Sequence, residues 1–223
     1  VTEWTEWTMT RRQLRQWLGP VLPHAGGPKD LPSLRTVHLR SLGARTVVAL
    51  ATDRYTMAVH QHVSDEDMGG PVEVSVPASA LGAALRVLTG DPKAPVTVGA
   101  DPSGLHLSSL GTMVQVQAAD VDPDVATAMP KLAAKVLAGL ADAQPIVNVT
   151  VDPQLLAKWR HLLSKRITIH AGARSDVPGR TPPLLIRCGE RFIGLQMPCY
   201  DKESWSPDGW LALLGPYSKK EAA

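Results

Sequence analysis

The 223-residue sequence is short of cysteine, of net charge and of long apolar runs. Two cysteines, Cys188 and Cys199, make no disulfide framework and suit a reducing compartment, so a cytoplasmic location is expected. Lysine and arginine total 23 against 21 acidic residues, a formal charge of +2. So balanced a total selects neither nucleic acid nor a neutral partner, and the distribution of charge has to decide. No apolar stretch approaches the roughly 20 residues that span a bilayer, so no membrane association is expected. The first ten residues carry Glu3, Glu6 and two tryptophans and lack the basic-then-apolar form of a signal peptide. Catalytic signatures are missing too: there is no G-x-S-x-G elbow, no G-x-x-x-x-G-K phosphate loop and no G-x-G-x-x-G. His60 and His62 flank Gln61 and would project from one strand face as a conceivable metal pair. Asp65, Glu66 and Asp67 follow, but no cluster with ligand spacing completes a site. The expectation is therefore a protein that is not an enzyme and needs no metal or cofactor.

What the sequence does have is alternation. Val37 and Leu39, Met57 and Val59, Val72, Val74 and Val76, Leu105 and Leu107, and Val114 and Val116 each recur at period two. So do Val147 to Val151, Ile167 to Ile169 and Ile193 to Met197. Such runs predict strands with one wet and one buried face. Turns separate them at Leu42-Gly43-Ala44, Asp101-Pro102-Ser103-Gly104 and Leu110-Gly111-Thr112. Three helices are expected. Thr10 caps one through Leu18, with Leu14, Trp17 and Leu18 inward. A second runs from Ala78 to Thr89 on Leu81, Leu85 and Leu88, and ends at Gly90. The third starts at Asp152-Pro153, with a buried stripe of Leu155, Leu156, Trp159, Leu162 and Leu163. A strand–helix–antiparallel-strand unit thus begins near Thr5, again near Val72 and again near Ile146, a repeat that points to a stacked or pseudo-symmetric α+β fold. Lys131 to Ala143 is expected to be a short helix.

Three sequence words carry a resemblance. Leu50-Ala51-Thr52-Asp53-Arg54-Tyr55-Thr56-Met57-Ala58 resembles the "ATD-G-H-R-L-A" strand–turn–strand of bacterial sliding clamps, the DNA polymerase III β subunits. Asp122-Pro123-Asp124 followed by Ala128-Met129-Pro130-Lys131 is similar to their "F-P-D-Y-x-x-x-x-P" link. Pro183-Leu184-Leu185-Ile186 and Leu195-Gln196-Met197-Pro198 resemble their closing "P-x-L-I … V-M-P-M-R". The resemblance covers roughly residues 5–200 and implies about one and a half clamp domains. Residues 1–122 would match the clamp's middle domain, 123–142 a linker with a short helix, 143–203 the second half of the last domain, and 204–223 a C-terminal tail. The clamp's first domain has no counterpart, which puts the family's usual ring closure in doubt. Arg54, Tyr55 and Thr56 stand where the family has Gly-His-Arg.

The resemblance implies a scaffold for DNA replication or repair, a homo-oligomer able to encircle double-stranded DNA. It would bind polymerases or repair proteins that carry a clamp-binding peptide. The partner-peptide pocket would be lined by Thr52, Tyr55, Met57, Pro130, Leu195 and Met197, against the alternative that Met57, Leu195 and Met197 are simply core. DNA phosphates would meet helix-borne cations, here Arg11, Arg15, Arg86, Lys158 and Lys165, with Arg12 beside the first two. The alternative is an ordinary solvated helix face. Two rival readings remain: a decoy that keeps the peptide pocket but forms no ring, and a metal-dependent enzyme on an α+β fold using His60 and His62. The tail, with Trp210, Leu211, Leu213 and Leu214, resembles a clamp-binding peptide that would dock on such a pocket, against the alternative that it simply packs on the nearest sheet face.

Overall fold

The computed structural model describes residues 4–121, 151–162, 167–171 and 183–198. Pro130, Lys165, residues 147–150 of an expected strand, the expected 131–143 helix and the 204–223 tail lie outside them. In chain order the described elements are β1 (Thr5–Thr10), α1 (Arg11–Leu18), β2 (Thr36–Ser41), β3 (Thr46–Thr52), β4 (Thr56–Val63), β5 (Glu73–Pro77) and α2 (Ala78–Val87). After these come β6 (Pro95–Asp101), β7 (Gly104–Ser109), β8 (Thr112–Gln117), α3 (Pro153–Ala157), β9 (Thr168–Ala171), β10 (Leu184–Cys188) and β11 (Phe192–Gln196).

Helix α1 begins where the sequence provides a reciprocal cap. The Thr10 hydroxyl accepts from the Gln13 amide, and the Gln13 side chain accepts from the Thr10 amide. Helix α2 follows Pro77 directly. Strands β2 to β4 form one antiparallel meander and β6 to β8 another. The lead strands are exchanged: β1 pairs with β6 of the second unit, and β5 pairs with β2 of the first. Two strand–helix–meander units therefore lock into one pseudo-symmetric domain. Their shared core holds Leu14, Trp17 and Leu18 of α1, Leu81 and Leu85 of α2, and apolar residues from both sheets. Leu14 and Leu81, each four residues past its helix cap, are 1% and 0% exposed.

The third unit adds to this domain edge to edge. β11 pairs antiparallel with β4, so one sheet runs β5-β2-β3-β4-β11-β10-β9 while the other is β1-β6-β7-β8. The ladder aligns Ala51, Ala58, Gly194, Ile186 and Ile169 in one row, on the face that carries the helices. Trp159, in a 3-10 turn after α3, lies against Gly194, where a Cβ would come within 2.2 Å of the indole. Only glycine permits that approach. Trp159 packs there with Ala58, Ile186 and Phe192, and its indole N–H donates to the Gln196 side chain.

The expected buried stripe on the third helix is corrected in one respect. Trp159 is buried and Leu162 packs beside it, but neither leucine of α3 is buried, Leu155 being half-buried and Leu156 40% exposed, and Leu163 lies outside the described residues. A regular α-helix also ends at Ala157, after which the chain tightens into the 3-10 turn. The last strand differs from expectation as well. Phe192, Gly194 and Gln196 are buried on one face, Leu195 is buried on the other, and Met197 lies beyond the strand and is exposed.

Candidate peptide pocket and DNA face

The β3–β4 turn is built by Asp53. Its Oδ1 accepts from the Tyr55 amide at 3.0 Å, the Thr56 amide at 2.7 Å and the Thr56 hydroxyl at 2.9 Å. Its Oδ2 takes the Lys158 ammonium. Burial pushes the Asp53 carboxyl up, but the hydrogen bonds from Lys158 and Thr56 outweigh this and hold it below the ordinary carboxylate range. The Thr52 hydroxyl donates to the Thr56 carbonyl at 2.7 Å, and the Met197 amide donates to the Tyr55 carbonyl at 2.8 Å, so the chain leaving β11 is tied to the turn.

Five of the six expected pocket residues fall within the described chain, and they converge. Thr52 is opposite Met57, and Met57 is opposite Leu195, forming a cross-strand row on the face away from the helices. Tyr55 and Met197 sit at its end, 56% and 44% exposed, whereas Thr52, Met57 and Leu195 are buried. The arrangement is an apolar row with an accessible end. Asp53 stands in the turn motif without an assigned role in the sequence reading, and its acceptor-only carboxylate two and three residues before free amides was the available signal.

The expected DNA-facing cations fare unequally. Arg11 is only 6% exposed: its Nε donates to the Ser109 hydroxyl at 3.1 Å, and a terminal nitrogen donates to the Thr89 carbonyl. Lys158 is committed to Asp53. Arg15 is exposed, yet it donates to the Leu85 and Leu88 carbonyls at the end of α2 at 3.0 and 3.2 Å. Arg12 and Arg86 are exposed. Arg11, Arg12, Arg15, Leu88 and Pro92 line a cleft of about 270 Å³ between α1 and the turn after α2.

His60 and His62 are spent on packing. His60 Nδ1 lies 2.8 Å from the Trp17 carbonyl, and the Trp17 indole donates to the His60 carbonyl at 2.9 Å. His62 packs against Trp17 with ring centroids 5.6 Å apart. Burial lowers both imidazole pKa values. Among the described residues no group of three His, Cys, Asp or Glu side chains is close enough to hold a metal ion. No described helix is long and apolar enough to cross a membrane.

A paired-unit domain with exchanged lead strands, extended through its sheet edge by a further unit, is the architecture of a DNA sliding clamp. Among solved structures, the chain is similar to a DNA polymerase sliding clamp from Bacillus subtilis, with a TM-score of 0.67 and 11% identity over 88% of this chain and 64% of that one. A DNA polymerase III β chain from Streptococcus pneumoniae TIGR4 matches with a TM-score of 0.67 and 14% identity over 88% of this chain and 65% of that one. The β subunit from Thermotoga maritima matches at 0.65 and 12% over 92% and 67%. No family model and no curated protein matches the chain. The chain has the sliding-clamp fold and spans about 65% of the length of the clamps it matches.

Proposed function

We propose that this chain is a sliding-clamp-like scaffold of DNA replication or repair, acting in the cytoplasm as a homo-oligomer and catalysing no reaction. It binds double-stranded DNA without reading sequence, and binds polymerases or repair proteins through the strand ends around Thr52, Tyr55, Met57, Leu195 and Met197, with Pro130 from the link. The domain division is 1–122, 123–142, 143–203 and a tail at 204–223. The observation that carries the reading is the β4–β11 junction, where an apolar row ends at a turn stiffened by Asp53 and tied to Met197. An extended peptide with apolar anchors fits such strand ends.

DNA contact falls to Arg12, Arg86 and the cleft side of Arg15, because Arg11 and Lys158 spend their donors inside the fold. That shortage of free cations among the described candidates on the helices is the observation favouring the decoy as second reading. The test is retention of the protein on nicked circular DNA before and after linearisation, with a parallel salt titration. A clamp stays on the circle and slides off the linear form. Replacing Arg12 and Arg86 by Ala flattens the logarithmic salt slope by roughly 0.9 for each phosphate that is no longer neutralised. Equal release from circle and line defeats encirclement. Binding of a clamp-motif peptide that weakens with Met197→Ala, without DNA retention, establishes the decoy.

A further inference from the structure

The paired domain supplies a template against which the third unit can be compared position by position. In α1 and α2 the leucine four residues past the cap, Leu14 or Leu81, enters the core that the two units share. The residue seven past the cap packs inward as well. In α1 it is Trp17, bonded to β4, the last strand of its own meander, and in α3 the equivalent Trp159 lies on β11, the last strand of its own. Helix α3 thus repeats α1: cap at Asp152, leucine at Leu156, tryptophan at Trp159. The tryptophan has found its place. The leucine has not, and is 40% exposed where its two counterparts are buried.

The sheet shows the same incompleteness. In the paired domain the first strand of each meander, β2 or β6, holds the lead strand of the opposite unit. The corresponding strand of the third unit is β9, and among the described residues it is the edge of its sheet. Ile169 of β9 is opposite the fully buried Ile186, on the helix-bearing face, yet is 38% exposed, as is Ile167. Leu156, Ile167 and Ile169 are the apolar residues that a second strand–helix–meander unit would cover.

We infer that this face is completed by the same unit of a second copy of the chain, so that two third units pair about a two-fold axis into a composite clamp domain. The template is internal: the first and second units of this chain bury the equivalent leucines in one shared core and hold each other's lead strands. A self-complementary pairing of this kind is what a two-fold interface requires. Lys158, two residues on from Leu156, is already neutralised by Asp53. The resulting dimer carries three clamp domains in a row, one from each copy and one shared. The inference specifies the oligomer of the proposed function, but it rests on the repeat geometry and not on DNA binding, so each can fail alone.

The experiment is sedimentation equilibrium of the full chain from about 1 to 100 µM, with hydrogen exchange followed by mass spectrometry at both ends of that range (concentrations on the order used for weak dimers). A dimer is expected, with α3 and β9 amides gaining protection as concentration rises. Leu156→Glu is expected to weaken the dimer on the order of a hundredfold, since a buried central anchor is removed from both copies. Because Leu156 is partly exposed in the single chain, the variant keeps its circular dichroism and its cooperative unfolding. Leu156→Met retains the dimer, and Ile169→Lys weakens it independently. A monomer at the highest concentration overturns the inference. So does a dimer insensitive to both charged variants, or one whose α3 and β9 amides exchange as fast as in the monomer.

Discussion

At the residue scale the sharpest conflict is Arg54, which has φ of +80° in a turn where the resembling family carries glycine. A side chain there costs about 1–2 kcal/mol that glycine avoids. What the arginine offers in return is an ion pair with Asp30 at 2.9 Å, and its own side chain is more than half exposed. Exposed pairs of this kind contribute between about 0 and 1 kcal/mol. Two variants separate the contributions. Arg54→Ala removes the ion pair and keeps the strain, whereas Arg54→Gly removes both. The glycine variant is expected to be more stable than the alanine variant by about 1 kcal/mol in urea unfolding, and to equal or exceed the parent. If alanine is the more stable of the two, the turn does not impose the left-handed backbone. The replacement of glycine is visible in the sequence; that the backbone keeps the conformation glycine would favour is not, because a φ value is set by the Asp53 hydrogen bonds beside it.

At the element scale, periodicity located most strands and the starts of all three helices, because caps and alternation are local signals. It did not reveal which strand pairs with which. The exchange of β1 and β5 between units is a long-range choice, fixed by the common core and not by any residue in either strand. It likewise assigned Leu156 to a buried stripe on spacing alone, when burial depends on what stands opposite. The placement of α3 rests on one close approach, Trp159 over Gly194. Gly194→Val puts two methyl groups where the indole lies and is expected to lift Trp159 from the sheet, costing about 2–4 kcal/mol through overpacking and reduced aromatic burial. Because the first domain has its own core, the damage should be confined to the third unit. Chemical denaturation is then expected to show an early transition in tryptophan fluorescence, with the main transition little changed. A single transition shifted as a whole would mean that the third unit and the first domain unfold together.

At the scale of the whole molecule, the sequence pattern conveyed the α+β class and the repeated strand–helix–meander unit, and Thr52, Tyr55 and Met57 of the turn motif lie together at one sheet end. The candidate DNA-facing residues were less legible: Arg11, Arg15 and Lys158 look alike in sequence as helix cations, and only the fold shows that all three carry internal bonds. The histidines behave similarly. His24, His38, His60 and His62 are scattered along the chain, yet burial lowers the pKa of all four in the folded state. His24 is the extreme case. It stacks on Trp159 with ring centroids 4.2 Å apart, neither ring nitrogen has a hydrogen-bond partner, and its pKa is lowered to about 3 by burial first and then by Lys158. A histidine kept neutral in the fold takes up its proton only on unfolding, so stability is unaffected well above about pH 6.5 and falls as pH drops below it. The decrease for each such histidine is at most about 1.4 kcal/mol per pH unit, and for His24 it continues to about pH 3. Asp53, whose pKa is lowered, adds a further decrease only below its unfolded value, near pH 3.8. Unfolding free energy measured by urea at about pH 8, 7, 6 and 5 is therefore expected to be level over the first interval and to fall steeply toward the last. His24→Phe, which keeps a ring against Trp159 but cannot be protonated, is expected to remove up to about one proton from the slope at the acid end of that range. A slope unchanged in that variant would mean that His24 is not held neutral at the junction between the first domain and the third unit.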